Sequence, residues 1–172
     1  MRPRRRRGEG PPGVLDPPRA RAVALDLLSR KPWTRRDLRA RLRRRGAPLE
    51  VAQAVVADLE ARGYVDDRAF ALAWAESRAR GRGYGSRRLR EELGKKGVAR
   101  PLVADAIRRA FAETDEEARA REAAARRLPA LRRASPGAAG RRLWGYLSRR
   151  GFPADVVRRV VREACGVAAP DE

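Results

Sequence analysis

The chain has 172 residues, with 42 Lys and Arg against 22 Asp and Glu, a formal net charge of +20, and no histidine. The missing imidazole excludes histidine acid–base chemistry and histidine-ligated zinc. The single cysteine, Cys165, excludes an internal disulfide or a multi-cysteine metal site. So large a cationic excess predicts a negatively charged partner, nucleic acid first and an acidic protein or membrane surface second.

Residues 1–18 are arginine, glycine and proline with almost nothing to bury, and are expected to form a disordered basic tail. They begin basic but carry no apolar stretch of the kind a secretory leader needs. Lysine occurs only at Lys31, Lys95 and Lys96, and asparagine not at all, a compositional bias that accounts for arginine in place of lysine but not for the uncompensated charge.

From Ala20 onward the apolar period is helical and repeats. Leu38-x3-Leu42-x3-Gly46 returns as Leu89-x3-Leu93-x3-Gly97 and again as Leu143-x3-Leu147-x3-Gly151. Leucines four apart share one helical stripe, and each glycine falls where a left-handed helix cap is wanted. An apolar-striped segment follows each glycine (Val51, Val55, Leu59; Leu102, Ala106, Ala110; Val156, Val160, Ala164), and another precedes each leucine pair (Val23 to Leu28, Phe70 to Ala75, Ala118 to Leu128). The pattern predicts three helices per unit of about fifty residues. It places repeat one at 19–65, repeat two at 66–113, repeat three at 114–166 and a C-terminal tail at 167–172. The fold class is all-α, elongated, and basic in every repeat.

Trp33-Thr34 and Tyr84-Gly85-Ser86 stand just ahead of the leucine pairs, and Thr34 and Ser86 are expected to cap the middle helices. Repeat three has Ala138 in this slot, after a turn expected at 134–140. Asp66 and Asp67 follow the helix stop Gly63-Tyr64-Val65. Adjacent helical side chains diverge, and no third acid completes an oxygen shell, so a capping role is expected rather than a metal or catalytic pair. Gly81-Arg-Gly-Tyr-Gly85 lacks the preceding strand that a phosphate loop requires. It is read as a flexible joint, with Arg80, Arg82 and Tyr84 placed to meet phosphate or stack on a base as the other reading. Trp33, Trp74 and Trp144 are assigned to packing.

The middle helices carry a recurring basic face outside their leucines: Arg36, Arg39 and Arg43 in repeat one, then Arg87 and Arg90 with Lys95 and Lys96 in repeat two. Recurrence in successive units is what a polyanion track requires. No catalytic residue, metal ligand or cofactor site is assigned, and no enzyme is expected. No membrane span is expected either.

The stretch GYVDDRAFALAWAESRARGRGYGSRRLREELGKKGV, with the earlier RRDLRARLRRRG, resembles the RecX family, bacterial regulators of the RecA recombinase. The Gly-Tyr-x-Asp-Asp-x-x-Phe segment and the Leu93, Lys96, Gly97 helix end carry the likeness; the third repeat matches less well. The resemblance implies three-helix repeats strung into a curved rod that lies along a RecA–single-stranded DNA filament. There it would block extension and lower ATP hydrolysis and strand exchange, in regulation of DNA repair, recombination and the SOS response. On this reading Gly63, Tyr64, Asp66, Asp67 and Phe70 set the junction between repeats one and two. Arg82, Arg87, Arg88, Arg90, Lys95 and Lys96, with Arg36, Arg39 and Arg43, form the contact face. A cytoplasmic monomer with weak, sequence-independent affinity for single-stranded DNA is expected. The competing expectation is a helix-turn-helix regulator reading duplex DNA.

Overall fold

The computed structural model describes residues 14–113, 115–131 and 135–166, and every regular element among them is helical. Repeat one is α1 (Pro17–Arg30), α2 (Arg35–Arg44) and α3 (Leu49–Ala61); repeat two is α4 (Asp67–Arg82), α5 (Ser86–Lys95) and α6 (Arg100–Ala110). Repeat three is α7 (Glu116–Arg127), a 3₁₀ turn at Leu128–Leu131, α8 (Pro136–Arg149) and α9 (Ala154–Cys165). The paired leucines of all three middle helices are fully buried, each contributing about 1.5–3 kcal/mol. Gly46, Gly97 and Gly151 follow them at φ +91°, +75° and +81°, a conformation that penalises any side chain.

The chain divides into two compact bodies. One runs through Phe70 and includes Lys96–Val98; the other holds Ala71–Lys95 and the chain from Ala99 onward. The division cuts through repeat two, whose α4 start and the turn after α5 belong with repeat one. In the first body Ala20, Ala24 and Leu27 of α1 meet Leu38 and Leu42 of α2 and Val55, Val56 and Leu59 of α3 in one core, with Trp33 packed against it. In the second, Leu143, Leu147, Phe152, Val157, Val160 and Val161 build a core closed by the alanines of α7, with Trp144 alongside.

Four expectations need correction. The tail reading of 1–18 lies outside the described residues as far as residue 13, as does the expected C-terminal tail at 167–172. Asp16–Pro18, however, open α1: the Asp16 carboxylate accepts from Arg19 N at 2.9 Å, and the prolines occupy the first turn, where no N–H is missed. Ser86 is not a cap. It is the first residue of α5, and Gly85 precedes it at the cap position, its carbonyl accepting from Leu89 N.

The expected turn at 134–140 is instead a helix start. Ser135 caps α8, accepting from Ala138 N, and Pro136 opens it, so α8 has 14 residues where α2 and α5 have 10. Gly81 and Arg82 finish α4 rather than form a joint, and Tyr84 is buried, so its ring is closed to a base. Tyr84 N donates to Arg78 O, and Gly85 N to Arg150 O at 2.8 Å. Backbone amides with partners at both ends of this short segment leave it little freedom.

Candidate functional site

Asp66 and Asp67 have different jobs. The Asp66 carboxylate accepts from Arg68 N at 2.8 Å and Ala69 N at 3.0 Å and so caps its own helix, α4. Asp67 is buried and turns to the preceding repeat: Oδ1 accepts from Arg35 N at 2.9 Å and Oδ2 from Arg35 Nε at 3.1 Å. Arg35 also donates to Glu60 at 2.8 Å. These two bonds, that to Asp67 first, hold its guanidinium pKa above the ordinary value. Nearby, Thr34 Oγ1 accepts from Asp37 N and donates to Lys96 O at 2.9 Å. Gly63 makes the stop at φ +75°, and Tyr64 N closes it on Leu59 O while the Tyr64 ring stays 58% exposed. Phe70 is buried under the Lys96 ammonium.

Within the first body, Arg36 and Arg39 of α2 line a cleft of about 380 Å³ whose other wall includes Gln53, Val56 and Ala57 of α3. The Arg36 stem lies across Gly97, where a Cβ would come within 3.0 Å of it. Arg43 is exposed on the same helix. Within the second body, Arg87, Arg90 and Lys95 of α5 face Ser148, Arg149 and Gly151 across a cleft of about 820 Å³ with no apolar side chain in its lining.

The expected contact residues separate into two groups. Arg36, Arg39, Arg43, Arg87 and Arg90 make no ion pair among the described residues. Unpaired guanidinium groups at a cleft are ready phosphate and carboxylate donors, because nothing must be displaced to bind them. The rest are engaged. Arg88 donates to Arg149 O at 3.0 Å, pairs with Glu92 at 3.4 Å and stacks its guanidinium 4.1 Å from the Tyr84 ring centre. Lys95 pairs with Glu91, and Lys96 with Asp37 at 3.5 Å. Arg82 donates to the Tyr84 hydroxyl and, with Arg88, holds that phenol below its ordinary pKa.

Sequence reasoning missed Arg35, Glu116 and Arg150. Glu116 accepts from Ser86 N at 2.6 Å, and burial pushes its carboxyl pKa up. Arg150 donates to Arg82 O. None could be found by spacing, since each acts on a segment 30 residues or more away. Among the described residues no cluster of three or more His, Cys, Asp or Glu could hold a metal ion. No helix there is long and apolar enough to cross a membrane.

Fold and clefts together define a tandem three-helix-domain protein with unpaired arginines at the surface of its middle helices. Models of the three RecX domains match in order: the first three-helix domain over residues 20–59, the second over 66–107 and the third over 115–161. A regulatory protein RecX from Thermobifida fusca is 44% identical over 90% of this chain and 86% of its own length. One from Thermus thermophilus is 41% identical over 84% of this chain and 92% of its own. The crystal structure of RecX from Lactobacillus salivarius superposes with a TM-score of 0.77 at 16% identity, covering 88% of this chain and 97% of that one, a likeness of fold. The chain belongs to the RecX family.

Proposed function

We propose that this protein modulates the RecA recombinase, as an inhibitor, by binding along the RecA–single-stranded DNA filament and limiting its extension, ATP hydrolysis and strand exchange. Family membership supports the regulatory role. The observation that carries the contact face is the recurrence of unpaired arginines on equivalent middle helices, Arg36, Arg39 and Arg43 on α2 and Arg87 and Arg90 on α5, of which Arg36, Arg39, Arg87 and Arg90 line an open cleft.

The unpaired arginines can take acidic side chains or phosphates without first breaking an internal ion pair. Glu91 and Glu92 in one cleft and Glu60 and Asp67 in the other are held by Arg88, Lys95 and Arg35. Occupancy beside the filament competes with subunit addition and strand pairing. Arg88 and Lys96 support this face without belonging to it, because their bonds are made inside the protein. Their loss would disturb folding as well as contact.

The test is the DNA-dependent ATPase of RecA titrated with wild type, Arg87→Ala/Arg90→Ala and Arg36→Ala/Arg39→Ala proteins. Each pair is expected to raise the concentration for half-inhibition about tenfold, from roughly 0.7 kcal/mol per arginine. Equal potency of all three proteins would remove the proposed face. Direct binding to oligo(dT) should be weak, indifferent to sequence and steep in salt. A preference of about a thousandfold for one duplex would favour a sequence reader instead.

A further inference from the structure

The three repeats open alike but not identically. Each first helix is preceded by an aspartate at the cap position: Asp16, Asp66 and Asp115. The next residue differs: Pro17 in repeat one, Asp67 in repeat two and Glu116 in repeat three. An acidic residue at the first helical position ordinarily favours its own helix dipole. Here it does something else. Asp67 spends both oxygens on Arg35, receiving the first backbone N–H of α2. Glu116 receives the first backbone N–H of α5, from Ser86. In both cases a repeat's carboxylate caps the middle helix of the repeat before it.

A second contact accompanies the first each time. The turn that ends the following repeat's middle helix offers its carbonyls to the same helix start. Lys96 O accepts from Thr34 Oγ1 at 2.9 Å. Arg150 O accepts from Gly85 N at 2.8 Å, and Gly151 O from Arg87 N at 3.0 Å.

In repeat one the corresponding groups are disposed of differently. Pro17 stands where the carboxylate would be. The turn carbonyl after α2, Gly46 O, is taken by the chain's own Leu15 N at 3.1 Å, and the Leu15 side chain packs against the first core. At the other end α8 carries an extra turn. Gly140, three residues before Leu143 as Arg35 and Ser86 are before Leu38 and Leu89, therefore lies inside a helix, where its amide is used by the helix itself.

We propose that the acidic residue after the cap aspartate, Asp67 or Glu116, couples its repeat to the preceding one, and that Pro17 and Leu15 make repeat one a terminus closed to a second copy of the chain. Repeat arrays need such closed ends to stay monomeric. The coupling holds whether or not RecA is the partner.

The experiment is amide hydrogen exchange by NMR on the full chain. Glu116→Pro borrows the residue that repeat one already uses at this position, so α7 is expected to keep its helix by circular dichroism. Exchange at Ser86 N should accelerate about tenfold or more, because its acceptor is gone. Glu116→Gln retains an acceptor oxygen and should leave Ser86 near its wild-type rate. Should the proline variant fail to fold, Glu116→Ala must give the same acceleration at Ser86.

An unchanged Ser86 rate in the proline or alanine variant would overturn the coupling role. So would equal acceleration in the glutamine variant, since that would make charge toward α7 the operative property. Sedimentation of the wild-type chain at rising concentration should report a monomer throughout. Head-to-tail growth would overturn the closed front.

Discussion

The two joints between repeats do the same work with different chemistry. The first is made largely by side chains: Thr34 caps α2 and reaches Lys96 O, while Asp67 holds Arg35 by main chain and guanidinium together. The second adds direct backbone bonds to side-chain ones such as Arg88 to Arg149 O and Arg150 to Arg82 O. Gly85 and Arg87 amides go directly to the Arg150 and Gly151 carbonyls, and only Glu116 contributes an acidic side chain. A backbone joint needs the two segments almost in contact, so it tolerates no Cβ. A side-chain joint keeps the segments apart and depends on particular functional groups instead. The same helix start can therefore be secured by shape or by chemistry, and the two should fail under different substitutions.

The largest separation is expected at the glycines. A Cβ at Gly151 would lie within 3.0 Å of the Arg88 backbone, on top of a φ of +81°; at Gly97 it would meet only the Arg36 side chain. Gly151→Ala should cost about 3–4 kcal/mol by urea denaturation, and Gly97→Ala about 2 kcal/mol. Equal losses would mean that the left-handed backbone, not the close approach, governs both sites.

Next comes removal of the joint carboxylate in the first body. Asp67→Ala strands the part-buried Arg35 N–H and takes one of the two acceptors from its guanidinium, so about 2 kcal/mol of stability should be lost in the same assay. Little or no loss would show that water replaces Asp67 and that the side-chain joint is forgiving.

The smallest effect is one of pH. Burial raises the Glu116 pKa above its ordinary 4.5 despite the Ser86 bonds that oppose the shift. Between the unfolded and folded values the native state holds the extra proton, so this group's contribution to stability falls as pH rises through that window. Glu116→Gln cannot titrate. Unfolding free energies followed from pH 4 to 7 should show the variant losing this downward component relative to wild type. Identical profiles would place the Glu116 carboxyl in water.

Much of the architecture can be read from local sequence. Leu38, Leu89 and Leu143 announce the middle helices because buried residues on a helix must recur every three to four positions, and Gly46, Gly97 and Gly151 mark their ends because only glycine enters the left-handed region freely. Ser135-Pro136 was equally readable as a helix start, a hydroxyl cap followed by a proline in the first turn, yet the glycines and alanines after it suggest a turn. Asp66 could be assigned from its place alone. Asp67, beside it, could not. Its partner is 32 residues away, and a local pattern cannot tell a cap for one helix from a cap for another. Arg87 and Arg88 make the same point: adjacent arginines with one local reading, of which one is unpaired and the other is spent on Arg149 O, Glu92 and Tyr84.

The helical character of the chain, its threefold repetition and its positive charge are all written locally, since periodicity, glycine caps and charge are properties of short segments. Which arginines remain free, which aspartate serves a neighbouring repeat and which glycine touches another backbone were decided only by tertiary structure. Those outcomes depend on distances between residues far apart in the chain, and such distances exist only once the helices have packed.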